Sequence, residues 1–338
     1  MSLSHEPGNL AQPPEISVAI PTMNGGRHIA ATIRSILDQS LPPRHLMIFD
    51  DRSDDDTLDQ IREIAGDFAQ IEVNRERLGL ARNWNRCVER CPSDLIAIVH
   101  QDDVLFPEHL QSHAEAHARS PEAGLVASNA TVIDTEGASV PATVVEPGGL
   151  GPFDRTFAPG EALPLLATGN PFRCSAVTLR VSAHQALGGF DPAFRYVVDW
   201  EFWLRIAETW GIAWLAQPTV AVRWHLGSET HRFKQGVLDL EETRVLLARN
   251  SERLKARGQL DLAAERSAQR RLARAYLNRA YDGSRGRDGS LTRQCLRKAI
   301  QLDPALLATL VHDPRLALRL GLAALTPRFV SSRIGRMA

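Results

Sequence analysis

The chain has 338 residues, 43% of them apolar and 23% charged, the proportions of a soluble globular protein long enough for one large domain and an appendage. No apolar run approaches the ~20 residues that cross a bilayer. The polar, Pro-rich stretch 1–15 has nothing of a secretion signal, so the expectation is a cytoplasmic protein with a disordered N-terminal segment. The net charge of −1 conceals a division: residues 1–233 hold 18 Lys/Arg against 30 Asp/Glu, and residues 234–338 hold 21 against 10. A basic tail on an acidic body suits contact with something anionic, such as the inner face of a membrane; a homodimer through the tail is the other expectation. Cys87, Cys91, Cys174 and Cys295 show neither a disulfide framework nor zinc-ligand spacing.

Residues 16–20 are an apolar run ending at Pro21, which cannot continue a central ladder, and read as a buried strand. Gly25-Gly26 turn the chain into a helix over 27–39, with Ile29, Ile33, Ile36 and Leu37 at helical spacing. A second run, 46–49, ends in Asp50-Asp51, and the Ser/Asp/Thr cluster after it starts a helix reaching residue 65. A strand over 70–73 and a helix over 79–90 follow. Residues 95–99 read as a strand buried on both faces, opening onto His100-Gln101-Asp102-Asp103. The next helix, 107–119, carries His109, His113 and His117 at i, i+4 and i+8; with no carboxylate to complete a metal shell, the stripe reads as a solvated face.

Further strands are predicted over 124–133, 175–180 and 220–224, with a turn-rich hairpin region over 134–152 and a short helix over 160–166. A helix over 199–210 carries Trp200, Phe202, Trp203 and Trp210. No basic residues interleave with these aromatics, which suits a core or cleft wall and not a nucleic-acid stacking platform. From 234 the chain reads as helical throughout, with breaks near Gly258, 281–289 and Pro304. Residues 272–306 resemble one tetratricopeptide-like helix pair, too few for a solenoid, and 316–330 read as a packed amphipathic helix.

Asp102-Asp103 is the most informative pair. Two carboxylates at the carboxyl end of a buried strand repel unless a cation lies between them, and hard oxygen ligands suit Mn²⁺ or Mg²⁺. The same pair also suits a solvated turn capping the next helix. Its companions are the two earlier strand ends, at Pro21-Thr22-Met23-Asn24 and at Asp50-Asp51.

The segments ISVAIPTMN, LMIFDDRSDDDTLDQI, RLGLARNWNRCVERCPSDLIAIVHQDD and LGGFDPAFRYVVDWEFWLRI, spanning most of residues 16–225, resemble the family 2 glycosyltransferases with the GT-A fold. The resemblance implies an α/β fold, a mixed, mostly parallel sheet flanked by helices over 16–233, with an all-helical C-terminal region over 234–338. It implies an inverting, metal-dependent transfer of a sugar from a UDP- or TDP-linked donor to a glycan or lipid-linked acceptor in cell-surface polysaccharide or glycolipid synthesis, with no nucleic-acid partner. By resemblance Pro21, Thr22 and Asn24 line the nucleotide site, Asp51 accepts the N3–H of the base, and Asp102 lies near the ribose and metal. Arg82 faces the diphosphate, Asp103 is the metal ligand with His225 in support, and Asp199 is the catalytic base, with Glu201 next on the same helix. Asp50 is expected to brace its loop. Val198 stands where the family usually has Glu, which is the one support for a degenerate, donor-binding scaffold acting through its helical tail. No G-x-G-x-x-G follows a strand, which excludes a dinucleotide-linked oxidoreductase.

Overall fold

The structure, a computed structural model, describes residues 14–141 and 149–307. The apolar runs form strands because each is short, β-prone and bounded by turn residues. In chain order the elements are β1 (Ile16–Thr22), α1 (Ile29–Leu37), β2 (Leu46–Asp50), α2 (Thr57–Ala65), β3 (Ala69–Val73), α3 (Leu80–Glu89), β4 (Leu95–Ile98) and the short β5 (Val104–Leu105). Then come α4 (His109–Arg119), β6 (Ala123–Ile133), β7 (Arg155–Phe157), α5 (Leu163–Leu166), β8 (Val177–Arg180), α6 (Val181–Leu187), α7 (Val198–Thr209) and β9 (Gly211–Arg223). The last described helices are α8 (Glu229–Phe233), α9 (Leu238–Ala256), α10 (Leu262–Arg285) and α11 (Gly289–Leu302).

The strands form one sheet in the order β3-β2-β1-β4-β8-β6-β9-β5, with β7 on β9. It is parallel from β3 to β4, then mixed: β8 runs antiparallel between β4 and β6, and β9 lies parallel to β6. Register places the site. Thr22 lies opposite Asp50 and Ala19 opposite Ile98, so the loops leaving β1, β2 and β4 emerge along one edge. Ile16, Val18, Ile20, Ile48, Leu95 and Ala97 pack with Ile29, Ile33 and Ile36 of α1 in the main core. Each buried Ile, Val or Leu among them contributes roughly 1.5–3 kcal/mol.

The expectations for the last strand and for the histidine stripe change. The last strand is predicted over 220–224, but β9 begins at Gly211 and crosses Pro218. It can do so because its register against β6 shifts around Ser128 and Asn129, and a bulge is where a strand tolerates proline. The histidine stripe is core, not a solvated face. His109, His113 and His117 are buried, with His109 Nδ1 at 2.7 Å from Thr219 Oγ1 and the other two rings at 3.0 and 2.9 Å from Thr178 Oγ1. The threonines of β8 and β9 give a helix face rich in His and Ala polar partners beneath the sheet.

The chain divides into two compact units. The first comprises the chain to Ala162, Asn170–Ala193 and Val198–Trp224; the second comprises Leu163–Gly169, Phe194–Val197 and the chain from His225. Within the second unit α10 and α11 share a core of Leu272, Tyr276, Ala280, Cys295 and Ala299, with Leu240 of α9. Asp261 and Asp288 cap α10 and α11. Glu242 accepts the backbone N–H groups of Arg195, Tyr196 and Val197. The break expected over 281–289 is narrower, since α10 continues to Arg285. Among the described residues no helix is long and apolar enough to cross a membrane. Residues 1–13 and the 316–330 stretch lie outside the described residues.

Burial holds His109 and His117 down to about 3 and His113 well below its usual value. Their folded-state pKa values are depressed, so their neutral forms support folding fully above the unfolded value of ~6.5, and that support is lost as pH falls toward 3. At pH 5 the linkage costs about 2 kcal/mol for His109 alone. His109→Gln keeps a partner for Thr219 and removes the titration. The stability lost between about pH 7.5 and 5 should shrink by about that amount, read from urea unfolding by tryptophan fluorescence. All six tryptophans lie in the first unit, so the signal reports the right region. An unchanged acid loss in the variant would exclude His109 as a contributor.

Candidate active site

The loops after β1 and β2 are stitched together by side chains. Asp50 Oδ1 accepts the hydroxyls of Thr22 and Ser53, and its Oδ2 accepts Ser53 N; it braces the loop, as expected. Asn24, at φ 52°, accepts Asp54 N and donates to Asp54 Oδ1, and its own N–H goes to Ser53 Oγ. Thr22 is buried, so its hydroxyl serves the loop, while Pro21 is half-buried. Gly25 is needed for closeness: a Cβ there would collide with Gln101. Gln101 in turn accepts Met23 N at 2.9 Å and donates to Met23 O at 3.0 Å, joining the β1 and β4 loops.

Asp51 Oδ1 accepts from Asn74 Nδ2 and Leu78 N, and Oδ2 from Gly79 N at 2.9 Å. A carboxylate has about four acceptor positions, so one on Oδ2 is left. The same bonds hold the start of α3, on which Arg82 is exposed.

At the next strand end, Asp103 is buried. Its Oδ2 accepts the Ser175 hydroxyl at 2.6 Å and its Oδ1 accepts Arg223 N at 2.8 Å. Burial, reinforced by the neighbouring Asp102 carboxylate, pushes Asp103 up to about 6. The Arg223 guanidinium donates to the carbonyls of Asp102, Asp134 and Thr135. Asp102 itself is half-buried. The helix-capping alternative does not hold, because α4 begins at His109 with Glu108 before it. Ligand atoms of His100, Asp102 and Asp103 all lie within 4.8 Å of one another, a donor set that fits a divalent cation.

Helix α7 starts at Val198, so Asp199 sits inside the first turn. Its Oδ2 accepts from Asn170 Nδ2 at 2.9 Å and its Oδ1 from Trp200 N at 2.7 Å. Burial raises the carboxyl above its usual range against those hydrogen bonds and the charges of His100 and Arg173. The Cys174 thiol, pushed up first by burial, also feels both Asp199 and Asp103, so the short segment 170–175 ties the two acids to one place. Glu201 is not available as a second base. Both its oxygens accept from Arg205, which also donates to the carbonyls of Leu187 and Gly189.

Residues 17–180 match the model of the family described as glycosyl transferase family 2. The chain carries a family 2 glycosyltransferase domain. Putative glycosyltransferase EpsE of Bacillus subtilis (strain 168) is 28% identical over 203 residues, 58% of this chain and 67% of EpsE. Poly(ribitol-phosphate) beta-N-acetylglucosaminyltransferase TarP of Staphylococcus aureus (strain N315) is 27% identical over 146 residues, 41% of this chain and 43% of TarP. The solved structure of S. aureus TarS 1–349 in complex with UDP-GlcNAc aligns with a TM-score of 0.58 at 15% identity, over 87% of this chain and 92% of that one. That likeness establishes the GT-A type fold, a mixed sheet flanked by helices with a helical C-terminal region.

The sheet edge thus gathers Pro21, Asn24, Asp51, Asp102 and Asp103 of this glycosyltransferase, and segment 170–175 relates Asp199 to them. His225 opens the second unit. Sequence reasoning passed over His100, Asn170 and Ser175. None stands in a spaced motif; the adjacency of His100 to Asp102-Asp103 was the one available signal. Arg205 supports α7, and its pair with Glu201 is largely buried, at 20% and 8% side-chain exposure. Arg205→Met would leave the Glu201 carboxylate without its partner and two carbonyls without a donor. The expected cost is about 3–5 kcal/mol, seen as a lowered urea midpoint.

Proposed function

We propose that the enzyme moves a sugar from a UDP- or TDP-linked donor to an acceptor hydroxyl of a glycan or lipid-linked acceptor, with inversion and with Mn²⁺ or Mg²⁺, in cell-surface polysaccharide or glycolipid synthesis. The observation that carries this reading is the buried, raised-pKa Asp199 tied through residues 170–175 to the strand end bearing Asp102 and Asp103. The relation to TarP, named as a beta-N-acetylglucosaminyltransferase, and to TarS bound to UDP-GlcNAc supports a UDP-sugar.

In this reading Asp51 receives the N3–H of the base at its remaining Oδ2 position, Asn24 and Pro21 border the nucleotide, and exposed Arg82 pairs with diphosphate oxygens. Asp102 and Asp103 hold the cation, which when bound supplies charge neutralisation for the departing diphosphate. Asp199 takes the proton of the acceptor hydroxyl as that oxygen bonds to the sugar C1. The C1–O bond to the nucleoside diphosphate breaks on the opposite face, and the diphosphate leaves with the electron pair. Asn170 and Trp200 N hold the carboxylate in place, and its burial keeps it basic enough to accept a proton.

Two measurements test the reading. Asp199→Asn is nearly isosteric, so donor binding by calorimetry should persist while transfer falls by roughly 10²–10⁴-fold; near-normal transfer would remove Asp199 as base. A cytosine ring has no N3–H to donate, so CDP should bind wild-type enzyme about one to two decades more weakly than UDP. Equal affinities would remove Asp51 as the base reader. Comparing nucleotides on one protein avoids Asp51→Ala, which would also release Asn74, Leu78 and Gly79.

A further inference from the structure

The segment that leads into α7 is held by a single carboxylate. Glu242, buried on α9, takes the N–H groups of three successive residues. Arg195 N donates to Oε1 at 3.0 Å and to Oε2 at 3.1 Å, Tyr196 N to Oε2 at 2.8 Å and Val197 N to Oε2 at 3.2 Å. Residues 188–197 form neither helix nor strand, so their buried N–H groups need partners from elsewhere. A carboxylate that accepts several of them makes charge-assisted bonds, roughly twice as strong as neutral ones. Aromatic rings close around the same segment. The Arg249 guanidinium lies over Phe194 at 5.0 Å, that of Arg195 lies over Phe233 at 5.6 Å, and Tyr196 meets Phe233 edge-on at 6.2 Å. All of these groups belong to the second unit.

The chain passes directly from Val197 to Val198, the first residue of α7, and Asp199 is next. Residues 195–197 therefore set where the Asp199 backbone begins, while Asn170 and Trp200 N hold its carboxylate. We propose that Glu242 is a positioning residue for the transfer: it fixes residues 195–197, and through them the start of α7 and the place of Asp199. This rests on the reading of Asp199 as the base. It gives α9, a helix of the C-terminal region, a part in the reaction. A reacting group misplaced by about 1 Å can cost roughly 10²-fold in rate, so a loosened entry to α7 is felt in kcat and not in donor affinity.

Glu242→Gln keeps the size and one oxygen but loses the charge and the second acceptor. In the full chain, hydrogen–deuterium exchange read by mass spectrometry should quicken over residues 195–203 of this variant and stay unchanged over β1, β2 and β4. The kinetic probe is UDP release to water from UDP-GlcNAc, the nucleotide sugar bound in the TarS structure, with Mn²⁺ present. Its kcat should fall about ten- to a hundredfold, with UDP affinity and donor KM within about twofold of wild type. In an Asp199→Asn background the same change should lower kcat by no more than about twofold, because a residue that acts through the base has nothing further to lose. Glu242→Asp returns the charge with a shorter reach and should recover part of the rate; it carries the same comparison if Glu242→Gln does not bind UDP. Unchanged exchange over 195–203, or faster exchange with an unchanged kcat, overturns the role of Glu242. So does a loss of rate that multiplies with that of Asp199→Asn. Normal turnover by Asp199→Asn alone overturns the base reading and this inference with it, whereas failure at Glu242 alone leaves Asp199→Asn slow.

Discussion

The buried carboxylate of Asp103 is the constraint on which the site depends. A charge without solvent is tolerated only when its acceptor positions are filled, and the donors come from residues 72 and 120 positions away in the chain, Ser175 and Arg223. Satisfying one carboxylate therefore brings the end of β4, the turn before β8 and the end of β9 together. Arg223 completes the knot by returning its guanidinium to the Asp102 carbonyl. With Asp103 buried, Asp102 is left half-exposed at the turn, and the two adjacent acids acquire different surroundings from the same dipeptide.

The same division recurs around the sheet edge. Asp50 accepts from three donors of its own loop and its neighbour and serves as scaffold. Asp51 uses three positions to hold the entry to α3 and keeps one. Asp199 receives two hydrogen bonds but loses more through burial, so its carboxyl rises above the usual range. Five aspartates thus differ in how many acceptor positions the protein fills and in how much water it removes. Those two quantities separate a brace from a base.

The α7 region shows how remote packing supports chemistry. Arg205 fastens α7 to the turn after α6 through the carbonyls of Leu187 and Gly189, while its Glu201 partner neutralises it. Asn170 reaches Asp199 from a different segment of the same unit. The Asp199 carboxylate is therefore held by contacts on two sides, which suits the general-base role proposed for it.

Much of this was legible in the order of residues. Apolar runs ending in Pro21, Asp50-Asp51 and Asp102-Asp103 identified three parallel strands and the edge where they open, because strand burial and strand ends are local patterns. The segment around Asp199 was found by its motif alone. The chain order did not reveal the first half of β9, whose proline is accommodated only by a bulge against β6. Nor did it reveal that three histidines at helical spacing lie beneath the sheet, since a polar stripe is solvated or buried according to whether a neighbouring element offers partners. Thr178 and Thr219 are those partners, far from the histidines in sequence. The sequence by itself determined the three strand ends that open onto one edge, their polar residues and the family they resemble. Only the tertiary structure decided which acids are braces, which keeps a free acceptor position and which nitrogen stands beside the two carboxylates, because hydrogen-bond satisfaction and desolvation are set by groups distant along the chain.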